Sequence, residues 1–170
     1  VATTTEIHDY LRLLFARIGR AHCPTHGQEL VAWSPAKAAA RCGADWAGAR
    51  AYVLAPIVVP ADAATAWLDA LKQEWQQAGY ARALVDGQEL RLDAAWPQPR
   101  PQELLLVIDR TTLGERARVA DAIEQAQAAA KAHGGPPAAI VQLAQASGGS
   151  PAGERHWFRA DAGCHLCDYK

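Results

Sequence analysis

Apolar side chains recur at helical spacing near the start of the chain, at Ile7, Tyr10, Leu11, Leu14, Phe15 and Ile18. Steps of three and four residues put them on one face of a helix. Thr3-x-x-Glu6 has the form of a capping box and Gly19 supplies a stop, so the pattern predicts an amphipathic helix over 4–18. Residues 28–50 are alanine-rich and interrupted by Pro35 and Gly43, which allows a short helix around 35–41. The run from Ala51 to Val59 reads as a buried strand demoted at Pro56, since proline donates nothing to a ladder. Asp62 is placed to cap a helix reaching Ala78, with Trp67, Leu68, Leu71 and Trp75 as its stripe and Gly79 as its end.

Tyr80 to Val85 and Gln88 to Leu92 flank Asp86-Gly87, a strong short signal for a hairpin. Pro97, Pro99 and Pro101 predict a stiff linker, and Glu103 to Asp109 a further strand. Thr112-x-x-Glu115 has the form of a second capping box, opening a helix to about His133 that Gly134-Gly135-Pro136-Pro137 stops. Ala138 to Ala144 and Arg155 to Arg159 read as strands around a turn at 147–151. The expected fold class is α+β: a small mixed β-sheet with packed helices behind an N-terminal amphipathic helix.

Composition narrows the function classes. The chain has 170 residues, half of them hydrophobic, enough to bury a real core. Its 17 basic and 18 acidic side chains leave no broad electrostatic footprint for nucleic acid. No apolar run approaches the roughly 20 residues that span a bilayer, and the start has neither the basic nor the apolar region of a signal peptide. Four unevenly spaced cysteines do not form a secreted disulfide framework, which favours a reducing cytoplasm. The chain lacks methionine and starts at Val1, so it is expected to be a segment of a longer polypeptide.

Candidate chemistry sits at the two ends. Cys23 and His26, and then Cys164 and Cys167, are pairs of soft ligands separated by two residues. Zinc commonly takes two such pairs to complete a tetrahedron, so the four predict one structural zinc site, a stem where the chain ends meet. The alternatives are free thiols on loops, or His22 and His165 as substitute ligands. Cys42 reads as a small buried hydrophobe. Trp67 and Trp75 read as core, whereas Trp33, Trp46 and Trp96 fall in loop-like stretches where one could anchor a partner. No nucleophile–base constellation or carboxylate pair stands out, so the chain is not expected to be an enzyme by itself.

The segment from Thr5-Glu6-Ile7-His8-Asp9-Tyr10-Leu11 to Ile18-Gly19, followed by His22-Cys23-Pro24, resembles part of the first ATP-binding half of the UvrA family, the damage-recognition ATPases of the bacterial ABC excinuclease. The likeness continues through Leu54-Ala55-Pro56-Ile57-Val58, Gly79-Tyr80-Ala81-Arg82, Val85-Asp86-Gly87 and Val107-Ile108-Asp109-Arg110 to the final Cys-x-x-Cys. It implies a stem over 1–27, a UvrB-binding insertion over 28–159 and the second ligand pair over 160–170. It also implies that UvrB is the partner in nucleotide excision repair, that Arg82, Asp109 and Arg110 belong to the docking surface, and that the parent is a homodimeric ATPase that binds DNA. In the family a further Cys-x-x-Cys lies downstream, so Cys164 and Cys167 have a second possible set of partners. ATP belongs to the parent only: the chain holds no G-x-x-x-x-G-K-[ST] loop to cradle phosphates and is expected not to bind the nucleotide.

Two departures from the family pattern bear on docking. The basic stretch after the Ala-Pro-Ile strand is replaced here by Val59-Pro60-Ala61-Asp62-Ala63-Ala64, and the Val-Arg-Val-Arg strand by Ala81-Arg82-Ala83-Leu84. The competing readings are a divergent relative with weakened docking, and a zinc-containing module that meets nucleic acid through Arg12, Arg17, Arg20, Arg155 and Arg159.

Overall fold

A computed structural model describes residues 2–96 and 100–170, with side chains from Ile7 onward. The side chains of Thr3 and Glu6, proposed as a capping box, lie outside the described residues, as do Pro97 and Pro99. The elements are α1 (Ala2–Ile18), α2 (Pro35–Asp45), β1 (Arg50–Ile57), α3 (Thr65–Gln77), β2 (Arg82–Val85), β3 (Gln88–Arg91), β4 (Leu104–Thr112), α4 (Arg116–Ala132), β5 (Ala138–Leu143) and β6 (Arg155–Arg159). The fold is α+β. Its six strands form one sheet in the order β3-β2-β4-β1-β5-β6. Every described pairing is antiparallel rather than mixed. No described helix is long and apolar enough to cross a membrane.

Pro56 does not demote β1, which lies at the centre of the sheet. Its ladder with β5 ends at Leu54, and beyond that only β4 flanks it, through Pro56↔Leu105 and Ile57↔Leu104. The missing proline N–H therefore interrupts no β5 pairing. Local signals also moved at helix starts. Ser34 caps α2, accepting from the Lys37 N–H at 3.3 Å with Pro35 in the first turn, and the helix runs on to Asp45. Asp62 lies outside α3, whose cap position is Ala64. Thr112 cannot cap α4 because the sheet holds it in register with Arg50; Glu115 takes the cap position without a side-chain bond. The Asp86-Gly87 hairpin is as expected, with φ of 49° and 81°. Asp86 also accepts from the Gln102 and Glu103 N–H groups at 2.8 Å each, pinning the hairpin to the start of β4.

The sheet has two unlike faces. Val53, Ala55, Ala83, Leu106, Ala139, Val141 and Phe158 point into the main core with Leu68, Leu71 and Trp75 of α3 and Val119, Ile123 and Ala126 of α4. Trp33 and Trp46 are buried in the same core, so neither is an exposed anchor. On the other face Leu54, Leu84, Leu105, Val107 and Ile140 form a second cluster, with Tyr52 and Trp157 packed against it. Among the described residues, no helix contributes to this second cluster. A register shift between Val53 and Leu54 makes Ile108 the extra residue of β4. Asp109 then pairs with Val53 on the helix side, and Arg110 with Tyr52 on the open side.

Candidate metal centre and open sheet face

Each ligand pair is presented by a tight turn. Cys23 N–H donates to Gln28 O and Gly27 N–H to Cys23 O, both at 2.8 Å, with Gly27 at φ 65° closing the loop. In the second turn the Cys164 N–H donates to Tyr169 O at 2.8 Å, and the Leu166 N–H approaches the Cys164 sulfur at 3.4 Å. The Val31–Gly163 bridge joins the two turns through bonds of 3.1 and 3.3 Å.

Arg159 organises the second turn from beneath. Its side chain is 2% exposed and gives two bonds of 2.9 Å to the Asp161 carboxylate and one of 3.2 Å to Asp168 O. A Cβ at Gly163 would lie 2.1 Å from its Cδ, so only glycine lets the turn close over this side chain. The guanidinium in turn holds the Asp161 carboxyl below its ordinary value.

Cys23, His26, Cys164 and Cys167 converge, their ligand atoms all within 4.8 Å of one another. Cys23 Sγ lies 3.8 Å from Cys167 Sγ and 3.5 Å from His26 Nδ1, which is 3.7 Å from Cys164 Sγ. Zinc–sulfur bonds of about 2.3 Å and a zinc–nitrogen bond of about 2.0 Å require tetrahedral edges of about 3.8 and 3.5 Å. The donor set therefore fits such an ion in both chemistry and spacing. Burial pushes the Cys23 thiol up, but hydrogen bonds from the His26 backbone and ring and the Thr25 backbone outweigh it, bringing it down to about 6. Burial and the neighbouring sulfurs push Cys167 up to about 11. Neither adjacent histidine joins the group: His22 donates from Nδ1 to Arg20 O at 2.9 Å, and His165 lies beside Trp46 and His156 in a separate cleft. Cys42 is buried and its thiol pushed up to about 12, as a core residue would be.

The three residues expected at a docking surface divide between the faces. Arg82 and Arg110 share the open face, where Glu89 accepts from the Arg82 guanidinium at 2.8 Å and lies 3.5 Å from that of Arg110. The Arg110 guanidinium stands 5.2 Å from the centre of the Tyr52 ring, and the Tyr52 hydroxyl donates to Glu89 at 2.9 Å. Asp109 turns to the helix side and receives two bonds from Arg118 of α4, at 2.8 and 3.0 Å, which hold its carboxyl low. Sequence reasoning passed over Glu89 and Tyr52. Their strand alternation was visible, but their partners are 7 to 37 positions away. Of the arginines considered for nucleic acid, Arg159 is buried and Arg155 is engaged by Glu103 and Gln142.

Known proteins share much of this sequence. Residues 34–134 match the family model described as the UvrA interaction domain. The UvrABC system protein A of Streptomyces avermitilis is 40% identical over 131 aligned positions, 74% of this chain and 13% of that protein. That of Deinococcus radiodurans is 38% identical over 130 positions, 73% of this chain and 12% of the relative. The Neisseria meningitidis serogroup A protein is 31% identical over 177 positions, 99% of this chain and 17% of its own length. The chain thus spans a small part, 12 to 17%, of these relatives. With the match to the interaction domain covering most of the helices and the centre of the sheet, the chain belongs to the UvrA family.

Proposed function

We propose that this chain is the UvrB-docking module of a nucleotide excision repair protein, held on a zinc-pinned stem. The observation that carries the reading is the convergence of Arg82 and Arg110 on a sheet face whose apolar cluster takes in no described helix residue. Arginine suits such a surface because its planar fork makes directional bonds to carboxylates. Residues 28–159 present the face, and 1–27 and 160–170 form the stem. ATP hydrolysis and lesion recognition belong to the remainder of a homodimeric, cytoplasmic parent that meets DNA, and this chain does no chemistry of its own.

Cys23, His26, Cys164 and Cys167 would hold the zinc. A structural zinc supplies four bonds that tie the two turns into one unit and contributes its binding free energy to folding. The residues of the chain do the rest: Arg159 and the Val31–Gly163 bridge set the turns facing one another. The docking test is calorimetric titration with UvrB. Arg82→Ala and Arg110→Ala should each lose about 2 kcal/mol, some thirtyfold in affinity, if they are central to the interface. Arg118→Ala on the helix side should bind like the parent. Loss confined to Arg118→Ala would move the docking face to the helices. Titration with duplex DNA at two salt concentrations tests the nucleic-acid reading, which demands a steep salt dependence.

A further inference from the structure

Arg82 and Arg110 are already engaged within the chain on the open face. Glu89 of β3 lies directly across from Leu84 of β2. One carboxylate oxygen takes Arg82 at 2.8 Å and Arg110 at 3.5 Å, while the other accepts the Tyr52 hydroxyl at 2.9 Å. The Glu89 side chain is a quarter exposed, and the Arg82 and Arg110 side chains are 41% and 53% exposed, so all three are reachable by an approaching surface. Beside them Arg50 and Arg110 line an open groove of about 470 Å³ with Tyr52, against Glu115 as its acidic member; Arg118 at its helix-side edge is already neutralised by Asp109. The excess of guanidinium groups at this mouth complements a partner that carries carboxylates.

We propose that Glu89 is an internal stand-in for a partner carboxylate: it holds Arg82 and Arg110 in their docking geometry and competes for them with an acidic segment of the partner. The inference rests on the docking reading above. Each guanidinium has five donors, so an incoming carboxylate finds free N–H groups on arginines already positioned. It also meets the negative charge of Glu89 within a few ångströms, a repulsion that weakens docking and that salt screens. The stand-in therefore keeps the face ordered while lowering its affinity.

The experiment titrates the full chain, its Glu89→Gln variant and the Glu89→Gln/Arg82→Ala pair with UvrB and with a hexaglutamate peptide, at low and at moderate salt. Urea midpoints check folding, and Glu89→Thr replaces Glu89→Gln if the latter does not fold. Glutamine keeps the shape and an acceptor for Tyr52 while removing the charge. Glu89→Gln should bind UvrB and the peptide about five- to tenfold more tightly at low salt, the gain should shrink at moderate salt, and Arg82→Ala should abolish it. Equal or weaker binding of both ligands by folded Glu89→Gln would overturn the inference. So would a preference of the variant for duplex DNA over the peptide, or the absence of any binding of either ligand. A gain for hexaglutamate without UvrB binding would leave the stand-in in place and sink the UvrB reading instead.

Discussion

His156 on β6 is buried, its side chain 5% exposed, and neither ring nitrogen has a hydrogen-bond partner among the described residues. Glu154 Oε1 lies 3.4 Å from Nε2 but not in hydrogen-bond geometry, and the Trp46 ring lies against it, tilted by 35° with centroids 4.1 Å apart. Burial lowers its pKa, Glu154 and Asp45 oppose that shift, and His165 and Arg41 add to it. The folded chain thus takes up this proton at lower pH than the unfolded chain, whose histidine titrates near about 6.5. Stability should fall as pH drops from that value through the lowered folded pKa, because the unfolded state binds more protons there. His156→Phe keeps a ring against Trp46 and removes two unpartnered polar atoms. We expect it to gain about 1 kcal/mol at pH 7.5 and to lose less than the parent on going to pH 5.5 in urea denaturation. Arg159 makes the opposite case, a buried cation with each guanidinium nitrogen bonded. Arg159→Ala should lower metal affinity about 10- to 100-fold, read by competition with a chromogenic chelator, because it releases the turn that aims Cys164 and Cys167. An unchanged affinity would mean that the turn holds itself.

Among the elements, α1 and β1 stand at opposite extremes. The periodicity that predicted α1 is real, but its stripe stays open to solvent: Ile7 is 56%, Phe15 68% and Ile18 71% exposed. A helix of 17 residues with so little tertiary packing is marginal in water. Its amides should exchange with solvent within seconds to minutes, whereas those of Val53, Leu54, Leu105 and Leu106 should exchange only with global unfolding. Strong protection of α1 in the isolated chain would reveal packing that its exposed stripe does not show. β1 owes its protection to two neighbours and to burial on both faces, Val53 in the main core and Leu54 in the second cluster.

Taken together, the elements divide into two parts, the turns that carry the candidate metal ligands and the sheet with its helices. The ligand turns touch the sheet through Arg159, Val31 and the Trp157 N–H bond to His165 O at 2.7 Å, but the main cluster contains none of the four ligands. Removing zinc with a chelator should therefore free residues 19–31 and 160–170 to protease while a fragment near 34–159 resists. One zinc per chain should be released, and Cys164→Ser should reproduce the effect. Cooperative loss of the sheet's circular dichroism on chelation would contradict this division.

Features with a local signal were legible in the order of residues. Period-two and period-3.6 patterns placed most helices and strands, Asp86-Gly87 set its turn, and two-residue spacing defined the ligand pairs. All of these depend on neighbours along the chain. Helix starts were misplaced where a sheet partner outweighed a capping motif, as at Thr112, and the Ser34-Pro35 signal was present but unread. Strand order, antiparallel pairing throughout, and the choice of polar residues that share a surface emerged only on folding. One extra residue at Ile108 turned Asp109 toward Arg118 and left Arg110 beside Arg82. A side chain's facing depends on register against a strand many positions away, and register is set by the packing of both faces at once.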